Sequence, residues 1–160
     1  MKYKLTDETI KHNGRTLYRI QALKDFGDVK AGDLGGWIES ERNLSQDGNC
    51  WVYDDAWVYD NARVFDNALI SGNAKVYDNA RVSDDARIYG NAWVYDNALV
   101  SHNARVYGDA WVSDDALISG NAWVSGNARV YDDVLIYGKA WVSGNARVYG
   151  DAEIKNGFVG

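Results

Sequence analysis

Residues 51–74 read WVYDDA, WVYDNA, RVFDNA, LISGNA, and the same six-residue phrase runs on without insertion through seventeen hexads to Ala152. The second place is Val or Ile in all seventeen, from Val52 to Val148, and the sixth is Ala in every hexad except the one ending at Val134. Side chains alternate between faces in extended backbone, so the sixth residue of one hexad and the second of the next point the same way. Those two places form the interior, and the first and third face out. The fourth place is mostly Asp or Gly and the fifth mostly Asn or Asp, residue types that tolerate left-handed backbone or close Asx turns. Each hexad therefore reads as a short strand followed by a corner.

Stacked residues should resemble one another, which makes the number of corners per coil testable within the sequence. At an 18-residue spacing the fourth places sort into Gly72, Gly90, Gly108, Gly126 and Gly144 on one edge and Asp60, Asp78, Asp96, Asp114 and Asp132 on the next. A third edge is mixed, with Asp66, Asp84, His102, Gly120 and Gly138. A 12-residue spacing scrambles these classes, so three strands per coil are expected. The reading is an all-β, three-sided parallel β-helix, a solenoid whose coils bury a core only by stacking. Residues 45–160 supply about six coils, a prism about 27 Å long at one strand spacing per coil.

Composition agrees with a repeat. The 160 residues include no proline, sixteen glycines, seven Trp and eleven Tyr. No apolar run reaches the roughly 20 residues that a membrane span requires, and Met1–Ile10 lacks the apolar stretch of a signal peptide, so a cytoplasmic location is expected. The single cysteine, Cys50, fills a place held by Ala in later hexads and reads as a small buried residue. The hexads contain no threonine, which excludes an ice-binding array.

Residues 1–44 lack the repeat and are the natural cap for a terminal edge that would otherwise recruit other chains. Within them Lys11-His12-Asn13-Gly14-Arg15 predicts a hairpin with an Asn-Gly turn. At the other end either Phe158 plugs the stack or a second copy covers it.

Charge is segregated. The net charge of −6 argues against direct nucleic-acid binding. Fourteen of the sixteen acidic residues in 45–160 fall at the corner places, while seven of the nine basic ones hold the first place. The Asp60–Asp132 column forms an acidic edge that either satisfies turn backbone or attracts cations and basic partners. One face interleaves aromatic and basic groups: Trp57, Lys75, Trp93, Trp111, Arg129 and Arg147, beside Tyr59, Tyr77, Tyr95, Ser113, Tyr131 and Tyr149. That content suits either strand packing or recognition of a partner. A second face carries Leu99, Leu117 and Leu135 and suits a contact between copies, as a trimer or another homo-oligomer. The third displays Trp51, Leu69, Arg87, Arg105, Trp123 and Trp141 with no clearer signal.

The hexads, with an aliphatic residue followed four places later by a small one as in Val52/Ala56 and Val58/Ala62, resemble the hexapeptide-repeat family. The resemblance implies a left-handed β-helix, often trimeric and often an acyltransferase. The segments Asp28-Val29-Lys30-Ala31-Gly32, Gly35-Gly36-Trp37-Ile38 and Leu44-Ser45-Gln46 are also similar to an enterobacterial hexapeptide-repeat protein described as an acetyltransferase, and to small repeat proteins of phages and prophages. The phage resemblance makes a host defence protein an expected partner class, within the bacterial cell. Acyltransferases of the family use a histidine base and loops extruded from the coils. Here no loop interrupts the hexads, and only His102 and His12 could serve. No nucleophile set, phosphate loop or metal cluster is legible.

The reading favours a non-catalytic scaffold, without cofactor or metal, that binds a protein partner through the aromatic-basic face or the acidic edge. The rival is a trimeric acyltransferase using acetyl-coenzyme A and His102. End-to-end assembly of an inert module is a third expectation.

Overall fold

The computed structural model describes residues 1–160, a three-sided stack of coils with an antiparallel hairpin added at its N-terminal edge. It opens with strand β1 (Tyr3–His12), antiparallel to β2 (Arg15–Ala22), which is in turn antiparallel to β3 (Leu34–Ile38). One 3-10 turn spans Glu41–Asn43, and from Trp51 every hexad contributes a two-residue strand made of its first and second places. Corresponding strands pair in parallel 18 residues apart, as in Trp93 with Trp111 and Val94 with Val112. Three parallel ladders result, closing a β-solenoid of about seven turns.

The interior is what the hexads specify. Second-place Val and Ile side chains and sixth-place Ala side chains are almost all fully buried and merge into one cluster of 40 residues. Each buried Val or Ile contributes about 1.5–3 kcal/mol before entropy is counted. Alanine at the sixth place keeps the triangular tube narrow.

The two corner places take different conformations. The fourth place, and not the fifth, takes the left-handed conformation, with φ between 55° and 69° in all seventeen hexads. Ordinary side chains lose about 1–2 kcal/mol there. Glycine does not, and Asp, Asn and His tolerate it best, which accounts for the composition of that column.

Stacking begins earlier than the hexads do. Trp37 and Ile38 of β3 pair with Trp57 and Val58, and Leu44 bridges to Val64, in each case twenty residues apart rather than eighteen. Trp51 pairs with Leu69 at the regular eighteen. The two additional residues therefore lie just after Leu44, where Gln46 clasps the cap: its Oε1 accepts the backbone N–H of Lys2 at 2.8 Å and its Nε2 donates to Tyr3 O at 3.3 Å. Gly36 holds the place of a sixth-place residue in this first coil, and a Cβ on it would meet Ala56 O at 2.6 Å, so only glycine fits.

The hairpin forms as expected, with Asn13 and Gly14 at φ 47° and 77°. It extends the aromatic-basic sheet sideways and seals the open edge of β3. Phe158 does not plug the far end. Its strand pairs with Trp141–Val142, and the ring stands outside the tube, 64% exposed and 5.4 Å from the Trp141 ring. As a first-place residue it must face out. No helix is long and apolar enough to cross a membrane.

Candidate functional site

The first and third places of the hexads on the aromatic-basic face make two parallel columns. In the first-place column Trp37, Trp57, Lys75, Trp93, Trp111, Arg129 and Arg147 are hydrogen-bonded neighbours in that order. Trp93 and Trp111 stack at 4.8 Å with planes 3° apart. Cations close the stack on both sides: Lys75 Nζ lies 4.7 Å from the Trp57 ring and 5.7 Å from Trp93, and the Arg129 guanidinium lies 4.0 Å above Trp111. The cations extend the stack because a ring face is the negative side of its quadrupole.

The third-place column is a tyrosine ladder. Tyr59, Tyr77 and Tyr95 follow at 5.1 Å with nearly parallel rings, and Tyr131 stacks on Tyr149 at 5.5 Å. Ser113 breaks the ladder between Tyr95 and Tyr131. Packing in the ladder hides part of each phenol. Burial, reinforced by Asp78, pushes the Tyr59 hydroxyl up to about 12, and burial with the flanking Tyr59 and Tyr95 raises that of Tyr77 further.

The face is not uniformly open. His12, at the tip of the hairpin, packs over Trp57 at 4.8 Å and Tyr59 at 5.5 Å, with its Nε2 3.5 Å from the Tyr59 hydroxyl. Tyr59 is buried as a result. Trp57 and Tyr59 thus belong to the contact between cap and solenoid. The displayed part of the face runs from Tyr77 and Trp93 through Tyr95, Trp111, Arg129 and Tyr131 to Arg147 and Tyr149, the last 58% exposed.

The acidic edge is built into the corners. Asp78 Oδ2 accepts the backbone N–H of Asp96, Asp96 Oδ2 that of Asp114, Asp114 Oδ2 that of Asp132, and Asp132 Oδ2 that of Gly150, at 3.0–3.3 Å. The fourth-place N–H finds no backbone carbonyl in the neighbouring coil, since the ladder bond passes from the fifth-place N–H to the fourth-place carbonyl, as in Asn97 to Asp114. The aspartates supply the missing acceptor. Asp60, the first of the column, instead receives Arg15 at 3.4 Å, and Arg15 also bonds Glu39 at 3.0 Å. These contacts tie the hairpin to the ridge.

His102 occupies a corner on the mixed edge, exposed, with its backbone N–H on Asp84 Oδ2 and its Nδ1 3.2 Å from Ser101 Oγ. His12 sits in the cap, far along the stack. On the second face Leu99 and Leu135 are 38% and 39% exposed and Leu117 is half-buried. No group of three or more His, Cys, Asp or Glu side chains is placed to hold a metal ion.

Two features escape a sequence reading. Lys2 is buried, its Nζ donating to Cys50 O at 2.8 Å and approaching Cys50 Sγ at 3.3 Å; burial lowers its pKa and raises that of the thiol. Nothing in a Lys beside the first Met announces this. On the third face Trp123 and Trp141 join Phe158 in an exposed edge-to-face row, with Arg105 5.6 Å from Trp123. The 18-residue rule already aligned Trp123 with Trp141, so only Phe158, beyond the last hexad, lay out of reach.

Seven turns of parallel rungs, an unbroken hexad ladder and outward columns of rings and cations define a repeat β-helix protein. Residues 56–72, 80–95, 86–101, 92–108, 122–138 and 128–144 match the family model described as the YdcK β-solenoid repeat. Over 60 residues, 38% of its length, the chain is 43% identical to the "Uncharacterized acetyltransferase YdcK" of Escherichia coli (strain K12). The match spans 17% of that relative. The chain is thus a repeat β-helix protein similar to an enterobacterial protein described as an acetyltransferase.

Proposed function

We propose that the protein is a non-catalytic scaffold that binds a protein partner through its aromatic-basic face. The observation that supports this most directly is the accessible stack of Trp93, Trp111 and Arg129, flanked by Tyr95 and Tyr131. Trp, Tyr and Arg dominate the energetics of protein interfaces, and here they sit on a rigid sheet that loses little entropy on binding. A bacterial host defence protein is the partner class suggested by the phage-type resemblance. Affinity capture from bacterial lysate with the intact protein and with Trp93→Ala/Trp111→Ala tests the reading. A partner retained by the first and lost by the second is expected. Equal recovery by both would remove the face from consideration.

The similarity to the Escherichia coli protein supports a second reading, a trimeric acyltransferase in which acetyl-coenzyme A lies between copies and His102 is the base. Thermal stabilisation by acetyl-coenzyme A that disappears in His102→Ala would favour it over the scaffold.

A further inference from the structure

The break in the tyrosine ladder has the dimensions of a single ring. Tyr95 and Tyr131 are two rungs apart, about 10 Å at the spacing of paired strands. Elsewhere in the ladder one ring per rung stacks at 5.1–5.5 Å, and on the third face Tyr89 stacks on Tyr107 at 4.9 Å. Ser113 thus leaves room between Tyr95 and Tyr131 for one ring, in a groove of about 460 Å³ bordered by Trp111, Arg129 and Arg147.

The same construction recurs on the third face. Ser71 interrupts Tyr53 and Tyr89, and a groove of about 400 Å³ there is bordered by Leu69, Arg87 and Arg105, with Asp28 of the cap at its rim. Both grooves follow one pattern over successive coils: Tyr, Ser, Tyr in the third place, and an apolar residue followed by two arginines in the first.

The chain shows what such a serine accepts. At Ser125, which follows Tyr107 in the third-face column, the Trp141 indole reaches across from the next coil and its Nε1 donates to Ser125 Oγ at 3.0 Å. The ring lies over the serine. No ring of the chain donates to Ser113 or Ser71; each lines its groove, Ser113 at the floor and 7% exposed, Ser71 half-buried.

We propose that the Ser113 gap is a socket for an indole or phenol side chain of a partner protein, and the Ser71 gap a second socket of the same kind. The ring slides between the two tyrosines, its N–H or O–H donates to the serine hydroxyl, and a carboxylate beside it in the partner meets the arginine pair. This deepens the scaffold reading and rests on it. A nucleobase fits the ring geometry but brings phosphates against Asp96 and Asp114, which form the other rim of the Ser113 groove, on a chain of net charge −6. An acidic aromatic peptide segment meets the arginines without a polyanionic backbone crossing that ridge.

The test titrates the full chain with a capped Asp-Trp-Asp peptide, a capped Asp-Ala-Asp peptide and oligothymidylate, following backbone amide shifts by NMR. The tryptophan peptide should shift the amides around Ser113 and Ser71, and the other two probes should not. Ser113→Tyr with Ser71→Tyr completes both ladders with the residue already commonest in that place. It should weaken the tryptophan peptide about tenfold or more, the loss of a central aromatic anchor. Tyr131→Ala, which removes one wall, should abolish the shifts at Ser113 while leaving those at Ser71. No shift with the tryptophan peptide, equal response to the alanine peptide, tighter binding of oligothymidylate, or indifference to filled sockets would each overturn the proposal. A captured partner that survives Ser113→Tyr/Ser71→Tyr but not Trp93→Ala/Trp111→Ala would leave the scaffold reading standing and the sockets refuted.

Discussion

Asp78 and Asp96 are joined by a 3.2 Å hydrogen bond in which the carboxylate of the first accepts the backbone N–H of the second, one coil further along. Both residues hold φ near +55°. The two facts are connected, because the left-handed corner turns the fourth-place N–H away from the carbonyl ladder and towards the side chain of the coil before. The aspartate column is therefore first a backbone device, whatever else its charge attracts.

Substitutions at Asp96 should separate strain from hydrogen bonding. Asp96→Gly relieves the left-handed backbone but leaves the Asp114 N–H without its acceptor, and the two effects should nearly cancel. Asp96→Val adds about 1–2 kcal/mol of strain to a lost bond of about 1 kcal/mol. Urea unfolding should rank wild type and the glycine variant close together and the valine variant clearly lower; equal stability for all three would show that the corner is not strained.

Truncation in the tube should be costly. Ile118 is fully buried and stacks between Val100 and Ile136. Ile118→Ala should lose about 2–5 kcal/mol, the range for large-to-small changes in a packed core. A loss well under this range by chemical denaturation would mean that the coils close up around the deletion.

Lys75 and Trp57 offer a measurement of the stack itself. Their ammonium-to-ring distance of 4.7 Å predicts a coupling of about 0.5–1 kcal/mol in a double-mutant cycle with Lys75→Gln and Trp57→Leu. Additive effects would reduce the interleaving to coincidence.

Stability should fall steeply in alkali. Tyr59 ionises near 10 in the unfolded chain and near 12 in the folded protein, so folding holds its proton more tightly. That contribution is complete below pH 10 and disappears as the pH climbs from 10 through 12. Tyr59→Phe should flatten this alkaline limb, with Tyr77, Tyr3 and Tyr53, whose hydroxyls burial also raises, contributing what remains. An unchanged slope between pH 10 and 12 would exclude Tyr59 as its source.

Removal of residues 1–33 should uncover the edge of β3, which β2 covers through the Tyr18–Ile38 and Arg19–Trp37 pairs. An open strand edge recruits other strands. Light scattering should show larger species for the truncated chain than for the intact one across the same concentrations.

The hexads made the tube legible because interior and exterior places have different chemistry, and 18-residue alignment of Asp60 through Asp132 fixed the number of sides. The same alignment places Trp93 on Trp111 and Tyr77 on Tyr95. What stayed hidden depends on parts without a period. The extra residues after Leu44 shift the first coil's register, so Trp37 did not align with Trp57 at eighteen. The cover of His12 over Tyr59, the burial of Lys2 and the outward course of Phe158 arise where cap or tail meets solenoid, and no repeat carries information across those junctions.

Within the hexads each coil touches only the one above and the one below, and each rung repeats after 18 residues. Duplicating or deleting one such unit would lengthen or shorten the rod by a single step of about 4.8 Å and leave every other contact as it was. Distance between the serine gaps is consequently an adjustable quantity: the molecule can be tuned like a ruler, and insertions in multiples of eighteen are the ones natural variants of this protein should carry.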